Sequence, residues 1–175
     1  MSPELCLGTV QMGLNYGITN SKGKVSSQEV IKILEFASSN NINFLDTAQA
    51  YGSAEYSIGK CSPLNSSFKI ISKMPSQSKE NWPFNKEIEW EKSLFKSLKN
   101  LNVESLDSLL LHQPKDLVHP QGERLRDWLK SLQERELVRR IGVSIYAESD
   151  LDRLPLDDLK LVQLPLSLYD QRFLN

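Results

Sequence analysis

The chain has 175 residues, 39% of them apolar and 25% charged, and its 21 basic against 22 acidic side chains leave a net charge of -1. That is the composition of an ordinary globular protein with enough length for a substantial core, so disorder is not the default. The balanced charge gives no footprint for nucleic acid or an anionic membrane surface, and no apolar run approaches the ~20 residues that span a bilayer.

The start, Met1-Ser-Pro-Glu4, has no basic n-region, so no secretory signal is expected. Leu5 to Val10 reads as a first strand, followed by a loop with Gly13 and Gly17 that lacks the G-x-G-x-x-G dinucleotide fingerprint. Ser26 and Glu29 form a capping-box pair ahead of a helix with Val30, Ile33, Leu34 and Ala37 at helical spacing, ending at Asn40-Asn41. Ile42 to Leu45 is a short apolar strand that runs into Asp46, and Ser53 is the expected N-cap of a helical stretch reaching Lys60. Cys6 and Cys61 make neither a metal-ligand pattern nor a disulfide framework, and are expected to be reduced thiols of a cytoplasmic protein.

Phe68 to Lys73 is the third strand, and a long connection from Ser76 to Asn85 leads to a helix from about Lys86 to Leu101 with Trp90, Leu94, Leu98 and Leu101 on one stripe. Leu106 to Leu111 is the fourth strand, ending at His112-Gln-Pro114. A helix from Glu123 to about Glu136 buries Leu125, Trp128, Leu129 and Leu132. Arg140 to Ile145 is the fifth strand, Glu148 to Leu154 a short acidic helix, Leu159 to Leu164 the sixth strand, and Tyr169 to Asn175 a polar turn into a further helix. Near-continuous apolar strands alternating with helices predict one α/β domain over residues 1–175 with a parallel sheet and right-handed crossovers.

Strand ends of a curved parallel sheet share one face, so Asp46, Tyr51, Lys73 and His112 are expected to converge. Taken singly, each has an ordinary explanation: a capping Asp, a packed Tyr, a surface Lys. Together they suit proton delivery to a carbonyl oxygen. A phenol with a pKa near 10 is a poor donor at neutrality, and an ammonium beside it, Lys73, is expected to lower that value. Asp46 would hold Lys73 charged, and His112 would orient the carbonyl by a hydrogen bond. Without a carboxylate pair or a metal-ligand cluster, a hydrolase on the same fold is the weaker reading.

The ordered set of Gly8-Thr9 with Gly13, Asp46-Thr-Ala-x-x-Tyr51-Gly52-x-x-Glu55, Lys73 after Ile-Ile-Ser, Leu111-His112-x-Pro114, Ile141-Gly-Val-Ser144 and Gln163 resembles the aldo-keto reductase family over nearly the whole chain. The resemblance implies a TIM (β/α)8-type barrel and reduction of an aldehyde or ketone by hydride transfer from NADPH, with NADH as the alternative. It implies Tyr51 as general acid, tuned by Lys73, with Asp46 paired to Lys73 and His112 positioning the carbonyl. It places Asp46, Thr9, Ser144 and Gln163 against the nicotinamide and its ribose. No metal site is implied.

The sequence departs from the family in two ways. A complete barrel takes ~250 residues, whereas only about six β/α units are legible here, and Ile145 stands where an asparagine often follows the strand-five serine. Six strands would leave two open edges, so copies of the chain are expected to cover each other's edges, and turnover is expected to be weak or absent. The alternative is a catalytically silent relative that serves as a binding or self-assembly module.

Overall fold

The computed structural model describes residues 3–77 and 81–174. Met1, Ser2, Asn175 and part of the connection predicted from Ser76 to Asn85 lie outside the described residues. Six strands form one sheet in the order of the chain, each parallel to the next. They are β1 (Cys6–Gly8), β2 (Phe44–Asp46), β3 (Lys69–Met74), β4 (Leu106–Leu111), β5 (Val138–Ser144) and β6 (Leu161–Gln163). Four helices cross over between them: α1 (Ser27–Ser39), α2 (Ala54–Gly59), α3 (Lys86–Leu101) and α4 (Gly122–Glu134). The sheet curls into a half-barrel, part of a TIM barrel, with β1 and β6 as open edges.

The strands alternate faces, and the two faces differ in chemistry. Leu45, Ile70, Leu109, Leu111, Ile141 and Val143 point to the helices and are buried. There they meet Leu34 of α1, Trp90, Leu94 and Leu98 of α3, and Leu125, Leu129 and Leu132 of α4, all buried. The predicted helical stripes are thus the faces that pack on the sheet. The opposite, inner face carries the polar residues Asp46, Lys73 and Ser144.

Local signals explain most boundaries. Ser26 Oγ accepts from Glu29 N at 3.3 Å and starts α1. Asn102 takes the left-handed conformation (φ 55°) and closes α3. Four expectations are corrected. The first strand ends at Gly8, and Val10–Met12 is a 3-10 turn. Ser53 stands at the N-cap of α2 but makes no side-chain cap; its hydroxyl instead accepts from Lys24 Nζ at 3.3 Å. The acidic segment after β5 is a 3-10 turn, Glu148–Arg153, because Asp150 turns back to accept from Tyr146 N and Ala147 N and Pro155 blocks extension. Among the described residues, the stretch from Tyr169 to Leu174 forms turns and no helix. No helix among the described residues is long and apolar enough to cross a membrane.

Candidate active site

At the carboxyl end of β2, Asp46 meets Lys73 from β3. Lys73 is only 1% exposed, and its ammonium is ion-paired to Asp46 Oδ1 while donating to Thr47 O at 3.1 Å. A buried ammonium needs such partners, because desolvation without them costs several kcal/mol. Strand register brings the two together. Asp46 pairs with Ile71, and Lys73 lies two residues further along the same face.

Tyr51 enters from the β2–α2 loop. Its ring lies over the Lys73 ammonium, 5.1 Å from Nζ to the ring centroid, and stands edge-on to His112 at 6.2 Å between centroids. The loop is held from behind by glycine. A Cβ on Gly13 would come within 1.8 Å of Tyr51 O, and Gly52 sits at φ +59° with room only for a hydrogen against Gly13 O. The four predicted side chains therefore converge.

The electrostatics of the cluster differ from expectation. The Tyr51 phenol is pushed up to about 12, first by burial and then by the carboxylate of Asp46, with Tyr146 and Tyr16 adding to it. The ammonium expected to lower it is held by Asp46 and Thr47 and lies over the Tyr51 ring, 5.1 Å from its centroid. His112 is pulled below the usual imidazole range by burial and then by Lys73, with Asp46 opposing, so it is neutral at pH 7.

The other predicted residues lie around this cluster. Thr9, fully buried at the end of β1, donates through Oγ1 to Asp46 O at 2.9 Å and so braces the strand behind the carboxylate. Ser144 ends β5 beside the end of β4, and Gln163 pairs with it on β6. Among the described residues, no side chain hydrogen-bonds to Ser144 Oγ, the Gln163 amide, the Tyr51 hydroxyl or the His112 imidazole. The rim thus offers open donors and acceptors, although Ser144 is 5% exposed. No cluster of three or more His, Cys, Asp or Glu side chains suited to a metal is present among the described residues. Cys6, exposed, and Cys61, buried, are free thiols, and burial pushes the Cys61 thiol up.

One buried group behind the site has no role assigned by sequence reasoning. Glu55, in the first turn of α2, accepts from Ser72 Oγ of β3 at 2.7 Å and from Ser97 Oγ of α3 at 2.8 Å. The motif residue was visible, but its partners are distant in sequence.

The profile of the Aldo/keto reductase family matches residues 4–173. The chain belongs to the Aldo/keto reductase family. Known structures of aldo-keto reductases share its fold. A Pseudomonas aeruginosa protein assigned to the aldo-keto reductases superposes with a TM-score of 0.77 at 22% identity, covering 95% of this chain and 64% of its own. An aldo/keto reductase from Klebsiella pneumoniae, crystallised with NADP and acetate, gives 0.73 at 20% identity, covering 97% of this chain and 56% of its own. The holo form of aldo-keto reductase AKR11C1 from Bacillus halodurans gives 0.72 at 19%, covering 97% of this chain and 55% of its own. The chain thus spans a little over half to about two thirds of the length of these reductases. No curated protein matches it in sequence.

Proposed function

We propose that this aldo-keto reductase chain reduces an aldehyde or ketone, with Tyr51 delivering the proton. The observation that carries the reading is the buried Lys73–Asp46 pair directly beneath the Tyr51 ring, with a neutral His112 edge-on to that ring.

Each residue has a defined part in the reaction. His112, neutral, donates a hydrogen bond to the carbonyl oxygen and fixes it near Tyr51. The Tyr51 phenol stays protonated at neutral pH, since its pKa is about 12. It is still acidic enough to protonate the product oxygen. The alkoxide left when hydride reaches the carbonyl carbon is a much stronger base than the Tyr51 phenolate, so proton transfer from the phenol runs downhill. The Lys73 ammonium offsets the phenolate charge that develops as the proton leaves, and Asp46 keeps that ammonium charged and in place.

The residues on the rim fit a nicotinamide cofactor. The open Ser144 hydroxyl and Gln163 amide can each both donate and accept, and so complement a carboxamide, whose NH2 donates and whose carbonyl oxygen accepts. When bound, NADPH would supply the hydride; NADH is the alternative. The Klebsiella relative was crystallised with NADP. The same proposal places the chain in the cytoplasm, and has copies of it cover the open β1 and β6 edges.

Titration of the purified chain with NADPH, read by nucleotide fluorescence with mass from light scattering, tests the reading. Saturable binding in a defined species supports it. No binding up to millimolar nucleotide, weaker than about -4 kcal/mol, favours the second reading, a self-assembly module with inherited side chains. That reading draws on the two open sheet edges.

A further inference from the structure

Among the described residues, Glu55 is a buried carboxylate with no ion pair to a cationic side chain. It is 5% exposed, and its contacts are hydroxyls: Ser72 Oγ donates to Oε1 at 2.7 Å, and Ser97 Oγ reaches both oxygens at 2.8 and 3.0 Å. Burying a carboxylate this way is costly, and an apolar side chain at the seam of α2, α3 and β3 would avoid that cost.

The three partners connect the parts that carry the site. Ser72 is the residue before Lys73 on β3 and points to the helix layer, while Lys73 points to the inner face. A hydrogen bond on Ser72 therefore restrains the strand one residue from the ammonium. Glu55 lies in the first turn of α2, and Ala54 N donates to Tyr51 O at 3.0 Å, so the helix start and the Tyr51 loop are one bonded unit. Ser97 adds α3. The other end of α2 is already pinned, since a Cβ on Gly59 would come within 2.0 Å of Asn100 O on α3.

We propose that Glu55 is a positioning residue: through Ser72 and Ser97 it fixes the loop carrying Tyr51 against the strand carrying Lys73. The proposal rests on the reading of Tyr51 as proton donor. Glu55 touches neither substrate nor cofactor in it. Its effect is to keep the phenol over the ammonium, a spacing for which a displacement of about 1 Å is enough to cost up to a hundredfold in rate.

The test uses the full chain labelled at tyrosine Cζ with carbon-13, the Tyr51 signal being assigned by its loss in Tyr51→Phe. Relaxation dispersion of that signal reports microsecond-to-millisecond motion of the ring. Carbonyl reduction with NADPH is measured on the same samples. Glu55→Ala is expected to broaden the Tyr51 signal and to lower kcat about tenfold with KM changed by less than about twofold. Ser72→Ala, which leaves the Glu55–Ser97 contact in place, is expected to do the same to a smaller degree, and decides the question if Glu55→Ala does not fold.

Asn65→Ala is the reference. Asn65 is also buried and donates to Leu101 O at 2.6 Å, with no hydrogen bond to Asp46, Tyr51, Lys73 or His112 among the described residues. It is expected to lower the melting temperature but to leave the Tyr51 signal and kcat unchanged. The proposal is overturned if Glu55→Ala and Ser72→Ala also lower only the melting temperature and leave the Tyr51 signal sharp. If the parent chain reduces no carbonyl, the proposed activity fails, while the Tyr51 signal still decides whether Glu55 holds the loop.

Discussion

The middle of the sheet and its two margins are built differently. In the middle, β3 and β4 are six residues long, and Ile70 to Met74 and Ser108 to Leu111 are buried without a break. At the margins, β1 and β6 are three residues long, and every residue of β6 is only half-buried. The centre is closed on one side by α2, α3 and α4, whereas the crossover into β6 has only 3-10 turns. Lys73 lies on β3 and His112 just after β4 in this centre, Asp46 ends the three-residue β2 with Tyr51 in the loop behind it, and Gln163, proposed to face the nicotinamide, sits on the margin. The Lys73 ammonium, which the proposed chemistry needs held in place, is thus mounted on a strand buried without a break from Ile70 to Met74.

The largest expected effect is in the centre. Trp90 of α3 is buried against Trp82 and Trp128, and its indole N–H donates to Gln77 Oε1 at 3.0 Å. Trp90→Ala is expected to lose about 3–5 kcal/mol in urea denaturation. A loss below about 1 kcal/mol would remove the contrast between centre and margin.

Asp46→Asn comes next. It leaves the Lys73 ammonium buried without its counter-ion, at an expected cost of about 3 kcal/mol. Adding Lys73→Met is expected to restore part of that loss, since the pair is then removed together. Equal stability of the single and double variants in urea would show that the pair is not coupled.

A smaller effect is expected from His112. Its folded pKa lies below its unfolded value of about 6.5, so the unfolded chain binds the proton more readily. Stability contributed by the neutral imidazole is present above that unfolded value and is lost as pH falls below it. His112→Gln is expected to flatten this acid limb in melting temperature measured from pH 7 down to pH 5, and an unchanged limb would contradict the burial of the ring.

The smallest effect is expected at the margin. Val162→Ala on β6 is expected to cost about 0.5 kcal/mol, and amides of Leu161 to Gln163 are expected to exchange by local opening while those of β3 exchange only on global unfolding. Equal protection of β6 and β3 would mean that the edge is covered, as in an assembly of copies.

How much of this was legible in the sequence follows the same division. β2 to β5 and α3 and α4 were readable because a continuous apolar run or a stripe such as Trp90, Leu94, Leu98 and Leu101 reports burial directly. The convergence of Asp46, Tyr51, Lys73 and His112 was readable because each ends a strand or follows one, and parallel strand ends share a face. The 3-10 turns at Val10–Met12 and Glu148–Arg153 were not, since they are set by a single residue, such as Asp150 folding back on Tyr146 N. The upward push on Tyr51 was missed because the sequence shows neither how far the fold buries the phenol nor that the Asp46 carboxylate, expected to hold Lys73, also acts on Tyr51. The partners of Glu55 were missed because Ser72 and Ser97 are met only through the fold.

The most direct test of the central claim compares the parent chain with Tyr51→Phe in NADPH-dependent reduction of a panel of aldehydes and ketones, with nucleotide affinity measured alongside. Loss of the phenol proton is expected to lower kcat by at least about a hundredfold while nucleotide binding is retained. Equal turnover by Tyr51→Phe would contradict the assignment of Tyr51 as proton donor.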